Sequence, residues 1–547
     1  MACQAQRLVK KVVPSTEIPH GARRVRPALA SGPAGGYTPA QLAKAYRVNA
    51  GAAVSQTVAI VDAFNDPSVR TDLNTFDVQY GLPGETTTTL KVVNQNGSTS
   101  PLPSSDPGWA GEITLDVQAV RGLCHKCRIL LVEADSDSDD DLAAAVNRAV
   151  TMGAKIVSNS YGGPETDPSE TAADRAAYNH PGVAILASSG DDGWYGWDVV
   201  NCASATCGGN NQLPDNVPSD PASLRTVIGV GGTSLYLNPD GTRASEQVWN
   251  SNGPGDVLGS ALGLPAGAAG SGCSTLSTPQ RWQQFVAHYS GLGCGASRRS
   301  GVDIASVADP FTGYDIFQTF GNTATGCPGT PAKCWETIGG TSLASPVVAA
   351  LWVLAGGAGG VRYPALSLYG HFKSDAEHVY DVTVGGTGAC DTLSPVSCTG
   401  GVNPNSPSRE LDCAWNLSGS SDTPLANRYQ CYARPGYDGV SGVGTPVGAN
   451  VFVPMRPIAV IAPPGTVKHG VSHTFSASGS HSPFPGGSIV KYVWHWGDGH
   501  TTTTTNVKVS HTYATKGTKT VTLVVSDNYT SQNNGRTGKK TITITVQ

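Results

Sequence analysis

Short apolar runs alternate with helically spaced segments through the first third of the chain. Thr57-Val-Ala-Ile-Val-Asp62, Arg128-Ile-Leu-Leu-Val-Glu133, Lys155-Ile-Val-Ser158 and Val183-Ala-Ile-Leu-Ala187 read as strands, with helices expected around Glu112 to Val120 and from Leu142 to Met152. Near-continuous apolar strands separated by helices imply a parallel sheet covered on both faces. Thr38-Pro39 ahead of Ala-Gln-Leu-Ala-Lys-Ala-Tyr predicts an N-cap, a proline in the first turn and a short helix. Residues 203–335, rich in glycine, serine and turn pairs, are read as loops decorating the sheet, and Ser342 to Leu354 as an apolar helix. From about Pro457 the period changes to two, as in Thr518-Lys-Thr-Val-Thr-Leu-Val-Val and Lys540-Thr-Ile-Thr-Ile-Thr-Val, which predicts a small antiparallel sandwich.

A chain of 547 residues exceeds one core, and the change of period divides it. The expected organisation is a Pro-, Gly- and Arg-rich flexible leader over 1–36, an α/β body over 37–453 and an all-β domain over 457–547. With a formal net charge of −5 and no long basic stretch, neither nucleic acid nor an anionic membrane is an expected partner. No window supplies the roughly 18 apolar residues of a spanning helix. The thirteen cysteines fall into local couples, 124 with 127, 202 with 207, 273 with 294, 327 with 334, 390 with 398 and 413 with 431, leaving Cys3. Spacing does not fix connectivity, but such usage in loop-rich segments points to an oxidising, extracellular setting. Residues 1–30 hold no continuous apolar stretch of signal-peptide type.

The chemistry gathers at three places. Ile338-Gly-Gly-Thr-Ser342-Leu-Ala-Ser-Pro346 places a serine at the start of the apolar helix, where free amides and the helix dipole polarise it. A serine hydroxyl is a weak nucleophile without a positioned base, and no His-Gly-Thr-His accompanies it. Glu112 and Asp116, four apart on one helical face, form a coupled carboxylate pair that could supply that base. Leu186-Ala-Ser-Ser-Gly-Asp191-Asp-Gly193 ends a strand in a glycine-rich turn. Protonated, Asp191 could donate to a developing oxyanion. Each feature alone has a plain alternative: an N-cap serine, a solvated acidic face, a turn aspartate.

Together they resemble the sedolisin family of serine-carboxyl peptidases, which share the subtilisin fold and use glutamate where subtilisins use histidine. The likeness runs from about Tyr37 to Val451. It includes Ala59-Ile-Val-Asp-Ala-Phe-Asn-Asp-Pro67, Ser158-Asn-Ser-Tyr-Gly162, Ser189-Gly-Asp191, Val230-Gly-Gly-Thr-Ser234 and Gly339-Gly-Thr-Ser342. The resemblance implies a subtilisin-like parallel sheet flanked by helices. It implies Ser342 as nucleophile, Glu112 as general base, Asp116 as the orienting carboxylate and Asp191 as oxyanion donor. Ser160, Tyr161 and Gly162 would bind an extended protein or peptide substrate as an added strand. One Ca2+ site is implied at the carboxylates of Asp381 and Asp438 and the carbonyls of Val382, Arg434 and Gly436, oxygen ligands that suit a hard cation. The implied enzyme is a secreted, monomeric endopeptidase favouring acid. The short leader puts inhibition by an internal prosegment in doubt. In the tail, Trp494-His-Trp-Gly-Asp-Gly499 and His511-Thr-Tyr513 resemble the PKD domain, an immunoglobulin-like module whose surface would bind protein or polysaccharide.

A subtilisin with Asp62 as triad acid is the nearest rival, but it needs a histidine base that the twelve histidines do not offer in the right context. An inert scaffold with a binding tail would have no reason to keep Ser342, Glu112, Asp116 and Asp191 together. Asp135 to Asp141 lacks the glycine and glutamate of an EF-hand and reads as an acidic helix cap. Cys124-His-Lys-Cys127 lacks a second zinc couple and reads as a disulfide. Histidines 495, 500 and 511 read as turn chemistry, and the glycosylation patterns at Asn416 and Asn528 are too short to weigh.

Overall fold

The structure is a computed structural model, and it describes residues 2–3, 6–7, 32–54, 56–165, 170–193, 217–250, 267–322, 324–387 and 428–547. In chain order the strands of the body are β1 (Ala2–Cys3), β2 (Gln6–Arg7), β3 (Thr57–Ala63), β4 (Leu90–Asn94), β5 (Arg128–Ala134), β6 (Ile156–Asn159), β7 (Tyr161–Pro164), β8 (Ala184–Ser188), β9 (Ser219–Asp220), β10 (Ile228–Leu237), β11 (Arg243–Val248), β12 (Ile304–Val307), β13 (Tyr314–Phe317), β14 (Trp335–Gly339), β15 (Val379–Tyr380) and β16 (Thr445–Pro446). The helices used below are α1 (Pro39–Ala45), α2 (Val69–Tyr80), α3 (Pro107–Leu123), α4 (Asp139–Thr151), α5 (Thr341–Leu354) and α6 (Ala365–Ser374).

The main sheet runs β11-β10-β8-β6-β3-β5-β4, with β12 also on β10. All pairings within it are parallel except β10 with β11. Its centre is apolar on both faces: Val58, Ile60, Leu131 and Leu186 face one buried cluster, and Ala59, Val61, Val132 and Ile185 face the other. Such strands need helices on each side, which α3 and α5 supply on the first face and α4 on the second. Thr38 caps α1 in a reciprocal box with Gln41, with Pro39 in the first turn. Strands β10 and β12 come from the stretch read as loops. Glycines at 229, 231 and 232 hide the β10 pattern, and they are there because neighbours press close: a Cβ at Gly229 would lie 1.8 Å from the Gly301 carbonyl oxygen.

The tail forms β17 (Ser472–Ser476), β18 (Ile489–His495), β19 (Thr501–Thr504), β20 (Lys508–Thr512), β21 (Gly517–Asp527) and β22 (Gly538–Val546). A β17-β20 pair faces a β19-β18-β21-β22 sheet, antiparallel throughout. Alternate residues Val521, Leu523 and Val525 turn inward with Phe475, Trp494 and Trp496. The sandwich is joined to the body by shared core: Phe484 and Tyr529 are fully buried within the body's larger cluster. Lys373 Nζ donates to the Phe484 carbonyl at 2.7 Å and Ser374 to that of Pro483 at 2.7 Å.

Disulfides join Cys124 to Cys127, Cys273 to Cys294 and Cys327 to Cys334. Cys431 is also disulfide-bonded. The expected pairs 202 with 207 and 390 with 398, together with Cys413 and Asn416, lie outside the described residues. No helix among the described residues is long and apolar enough to cross a membrane.

Candidate active site

Helix α5 starts where it does because of two glycines. Gly340, its N-cap, takes φ +93°, a conformation that favours glycine. A Cβ on Gly339 would come within 2.1 Å of the Ala308 carbonyl oxygen. Ser342 therefore occupies the first turn, whose amides have no helical acceptors. Pro346 lies four residues on within the same helix and has no N–H, so the Ser342 carbonyl loses its helical donor. The Ser160 hydroxyl takes that place at 3.2 Å, and Ser342 Oγ donates back to the Ser160 carbonyl at 3.3 Å.

Ser160 links this turn to α3. Its Oγ lies 2.7 and 2.9 Å from the two oxygens of Asp116. Asp106 caps α3 by accepting from the amides of Gly108 and Trp109, and every residue from Trp109 to Leu123 is buried, Glu112 and Asp116 included. Burial raises the pKa of Asp116 well above the ordinary carboxylate range, and the charges of Asp62 and Glu112 raise it further. Asp62, near the end of β3, is pushed up to about 8 by burial. Neither of its oxygens has a hydrogen-bond partner among the described residues. Glu133 on β5 is raised to about 9, first by burial and then by Asp66 and Asp62. Asp116, Asp62 and Glu133 thus form a group of buried acids whose pKa values are all raised. The sequence points to Asp62 only as the acid of a rival triad; its place at a strand end next to the Glu112 helix is the signal that ties it to this site. Among the described residues no histidine hydrogen-bonds to Ser342, Asp62 or Asp116.

Asp191 follows Gly190, whose φ is +102°. Its Oδ1 accepts from both the amide and the hydroxyl of Thr341, each at 2.7 Å, so its carboxyl group lies one residue from Ser342. Tyr161 and Gly162 lie on β7. There β1 pairs antiparallel, Ala2 opposite Gly162 and Cys3 opposite Tyr161. Strand β2 pairs antiparallel with β14, Gln6 opposite Gly339 and Arg7 opposite Ile338. The start of the chain thus passes from the Tyr161 edge to the glycines preceding Ser342.

Away from this centre, Asp381 Oδ2 accepts from the Gly436 amide at 2.9 Å, and Asp438 Oδ2 from the Arg434 amide at 2.9 Å. Burial raises the pKa of Asp438 to about 7, the nearby Asp381 charge adding to the rise. The Arg434 guanidinium does not pair with either acid. It lies over the Tyr429 ring at 3.9 Å and donates to the carbonyls of Tyr437 and His288. The buried Val382 carbonyl accepts no hydrogen bond among those of the described residues. Two neighbouring carboxylates without a basic partner among the described residues, one of them next in sequence to Val382, fit a hard divalent cation.

Residues 92–357 match the Subtilase family, and residues 454–546 match the PKD domain. Sedolisin of Pseudomonas sp. (strain 101) is 30% identical over 389 residues, 67% of this chain and 59% of its own length. Kumamolisin of Bacillus sp. (strain MN-32) is 27% identical over 442 residues, 78% of this chain and 65% of its own. The chain thus spans about three-fifths of the length of these curated relatives. A solved structure of Pseudomonas sedolisin (serine-carboxyl proteinase), complexed with two molecules of pseudo-iodotyrostatin, aligns with a TM-score of 0.56 at 25% identity. It covers 76% of this chain and 96% of that one. Fold and site define a protein of the subtilisin fold with an appended PKD domain. Within that fold, the chain is similar to sedolisin and kumamolisin.

Proposed function

We propose that this chain is a secreted, monomeric serine-carboxyl endopeptidase acting on proteins or peptides through an acyl-enzyme. The observation that carries the reading is the run from Asp116 through Ser160 to Ser342, at a helix start whose first amide is held by Asp191. Glu112, one turn before Asp116, takes the Ser342 proton as its Oγ attacks the scissile carbonyl. Asp191, as the acid, donates to the oxyanion. Glu112 then protonates the leaving amine, and water releases the acyl group.

The Ser160 hydroxyl has one hydrogen and two prospective acceptors, Asp116 and the Ser342 carbonyl. With Asp116 in its acid form, the carboxyl O–H donates to Ser160 Oγ and Ser160 donates on to Ser342, so every oxygen is served. The raised pKa of Asp116 favours that state. The Glu112 and Asp116 titrations are shared by the pair. Activity should favour acid, because Asp191 and Asp116 must hold protons.

Tyr161 and Gly162, with Ser160, would receive substrate as an added strand, the mode in which β1 already lies on β7. Asp381, Asp438 and the carbonyls of Val382, Arg434 and Gly436 would hold one Ca2+, which supplies cross-linking of the two segments and no chemistry. The PKD domain would present a surface to a protein or polysaccharide.

Replacing Glu112 with Gln should lower kcat by about 10³-fold or more, while Ser342→Ala abolishes labelling by a fluorophosphonate. Thermal unfolding should show both variants folded. Undiminished cleavage by Glu112→Gln would return the base to a histidine.

A further inference from the structure

Beyond the active centre and the oxygen-lined cation site, three side chains at the end of the body converge. His371 lies in α6, Asp375 ends that helix, and His378 closes the short turn that follows. His371 Nδ1 is 3.5 Å from Asp375 Oδ2, and His378 Nε2 is 3.1 Å from the same oxygen. One ligand atom from each of the three residues lies within 4.8 Å of the others.

The hydrogen bonding of His371 shows what this arrangement asks for. Its Nε2 faces the Val453 carbonyl at 2.9 Å, so that nitrogen carries the hydrogen and donates. In the neutral ring Nδ1 then presents a lone pair. That atom is buried and has no hydrogen-bond partner among the described residues. It confronts a carboxylate oxygen, also electron-rich, across 3.5 Å. Two acceptors at that separation need a cation between them. Ligand bonds of about 2.0–2.1 Å in tetrahedral array put ligand atoms about 3.3 Å apart, close to both measured separations. An imidazole fixed by donation to a backbone carbonyl is also the usual outer support of a metal-bound histidine.

We propose that His371 Nδ1, His378 Nε2 and Asp375 Oδ2 bind a borderline divalent transition metal, Zn2+ being the probe of choice, with water completing the shell. Two nitrogens and one carboxylate select such an ion over calcium, which takes six or more oxygens. The Asp375 and His378 side chains are 32% and 20% exposed, so the ion enters from solvent. Because Val453 immediately precedes the sandwich, the metal would clip α6, the following turn and the connecting segment together at the root of the PKD domain. The same helix end already grips Phe484 and Pro483 of that domain.

The test uses the full chain carrying Ser342→Ala, which removes self-cleavage, stripped of metals and kept in excess calcium. Equilibrium dialysis against Zn2+ should show one tightly held equivalent and a higher melting temperature. His378→Ala and Asp375→Asn, both partly exposed and tolerable in the fold, should each weaken that binding about 10-fold or more. His511→Ala, in the separate Asp498–His511 pair of the sandwich, should leave it unchanged. Equal zinc uptake by the parent and both cluster variants, or no uptake above background, would overturn the proposal and leave a proton as the cation of the cluster. The measurement involves no turnover, so its failure leaves the reading of the active centre untouched, and the reverse holds too.

Discussion

The acids around α3 in the body and Asp498 in the sandwich are shifted in opposite directions. On α3 and the neighbouring strands β3 and β5 the body buries Asp116, Asp62 and Glu133, and burial leads the rise in pKa of each. The sandwich keeps Asp498 at a part-buried turn. Partial burial there pushes upward, but hydrogen bonds from His511 and the His500 amide bring its pKa below the usual value. A fold stabilised only by packing has no use for the first arrangement, since each buried acid must be protonated or matched. The difference teaches where to look for function. The sandwich is built for shape and attachment, and the body maintains groups that bind protons more tightly when folded.

The largest way to break the contrast is at Asp191. If its carboxyl group serves the oxyanion, Asp191→Ala should lower kcat by about 10²- to 10³-fold with little change in KM. If it merely caps α5 through Thr341, stability will fall and kcat will hold. Steady-state kinetics together with thermal unfolding separate the two.

A smaller effect should come from the first residues. Strand β1 occupies the β7 edge proposed above for an extended substrate, and β2 lies on β14, just before Ser342. Were they docked about nine-tenths of the time, a chain starting at Gly32 would gain about tenfold in kcat/KM for a short peptide. An unchanged value would mean that the strands do not compete with substrate.

Much of this was legible beforehand, for reasons that differ by element. The strands at Thr57, Arg128, Lys155 and Val183 are apolar on both faces, and no helix pattern competes with them. Each was placed within one residue of its observed bounds. The α3 span was placed short because burial all round erases its amphipathic stripe. The expected span ran from Glu112 to Val120, whereas the Asp106 cap and Pro107 start it earlier. Strand β10 was hidden by glycines that tertiary crowding demands. The nearness of Ser160 to both Asp116 and Ser342 was not readable at all. It depends on β6 lying beside β3 and on Pro346 freeing a carbonyl four residues back. The His371, Asp375 and His378 cluster was likewise missed, because a helix end and a turn bring together residues whose spacing matches no familiar motif.

Calcium offers the next test. At free calcium about 100 times Kd, occupancy would add about 2.7 kcal/mol to the body. Chelation should therefore lower its melting temperature by several degrees, and Asp438→Asn should remove that response. A melting temperature indifferent to chelation would show that Asp381 and Asp438 share a proton instead.

The gentlest test returns to the contrast in sign. Asp62 and Glu133 have raised folded pKa values, so the folded body binds more protons than the unfolded chain. Their contribution is complete below about pH 4 and is lost as pH rises through about 8 and 9. Asp498 has a lowered folded pKa, so its contribution is intact above about pH 4 and is lost as pH falls further. Asp498 and its partner His511 are part-buried, and the contribution of such a pair at the protein surface is about 1 kcal/mol. Unfolding followed from pH 9 to pH 3 should thus show the body gaining stability down to about pH 4. Fluorescence of Trp494 and Trp496, buried in the sandwich, should report a small loss only below that point. Asp498→Asn should flatten the sandwich's acid limb and leave the body's curve untouched. If both regions weaken together on acidification, the buried acids of the body enter the fold as anions, and the assignment of a proton to Asp116 falls with them.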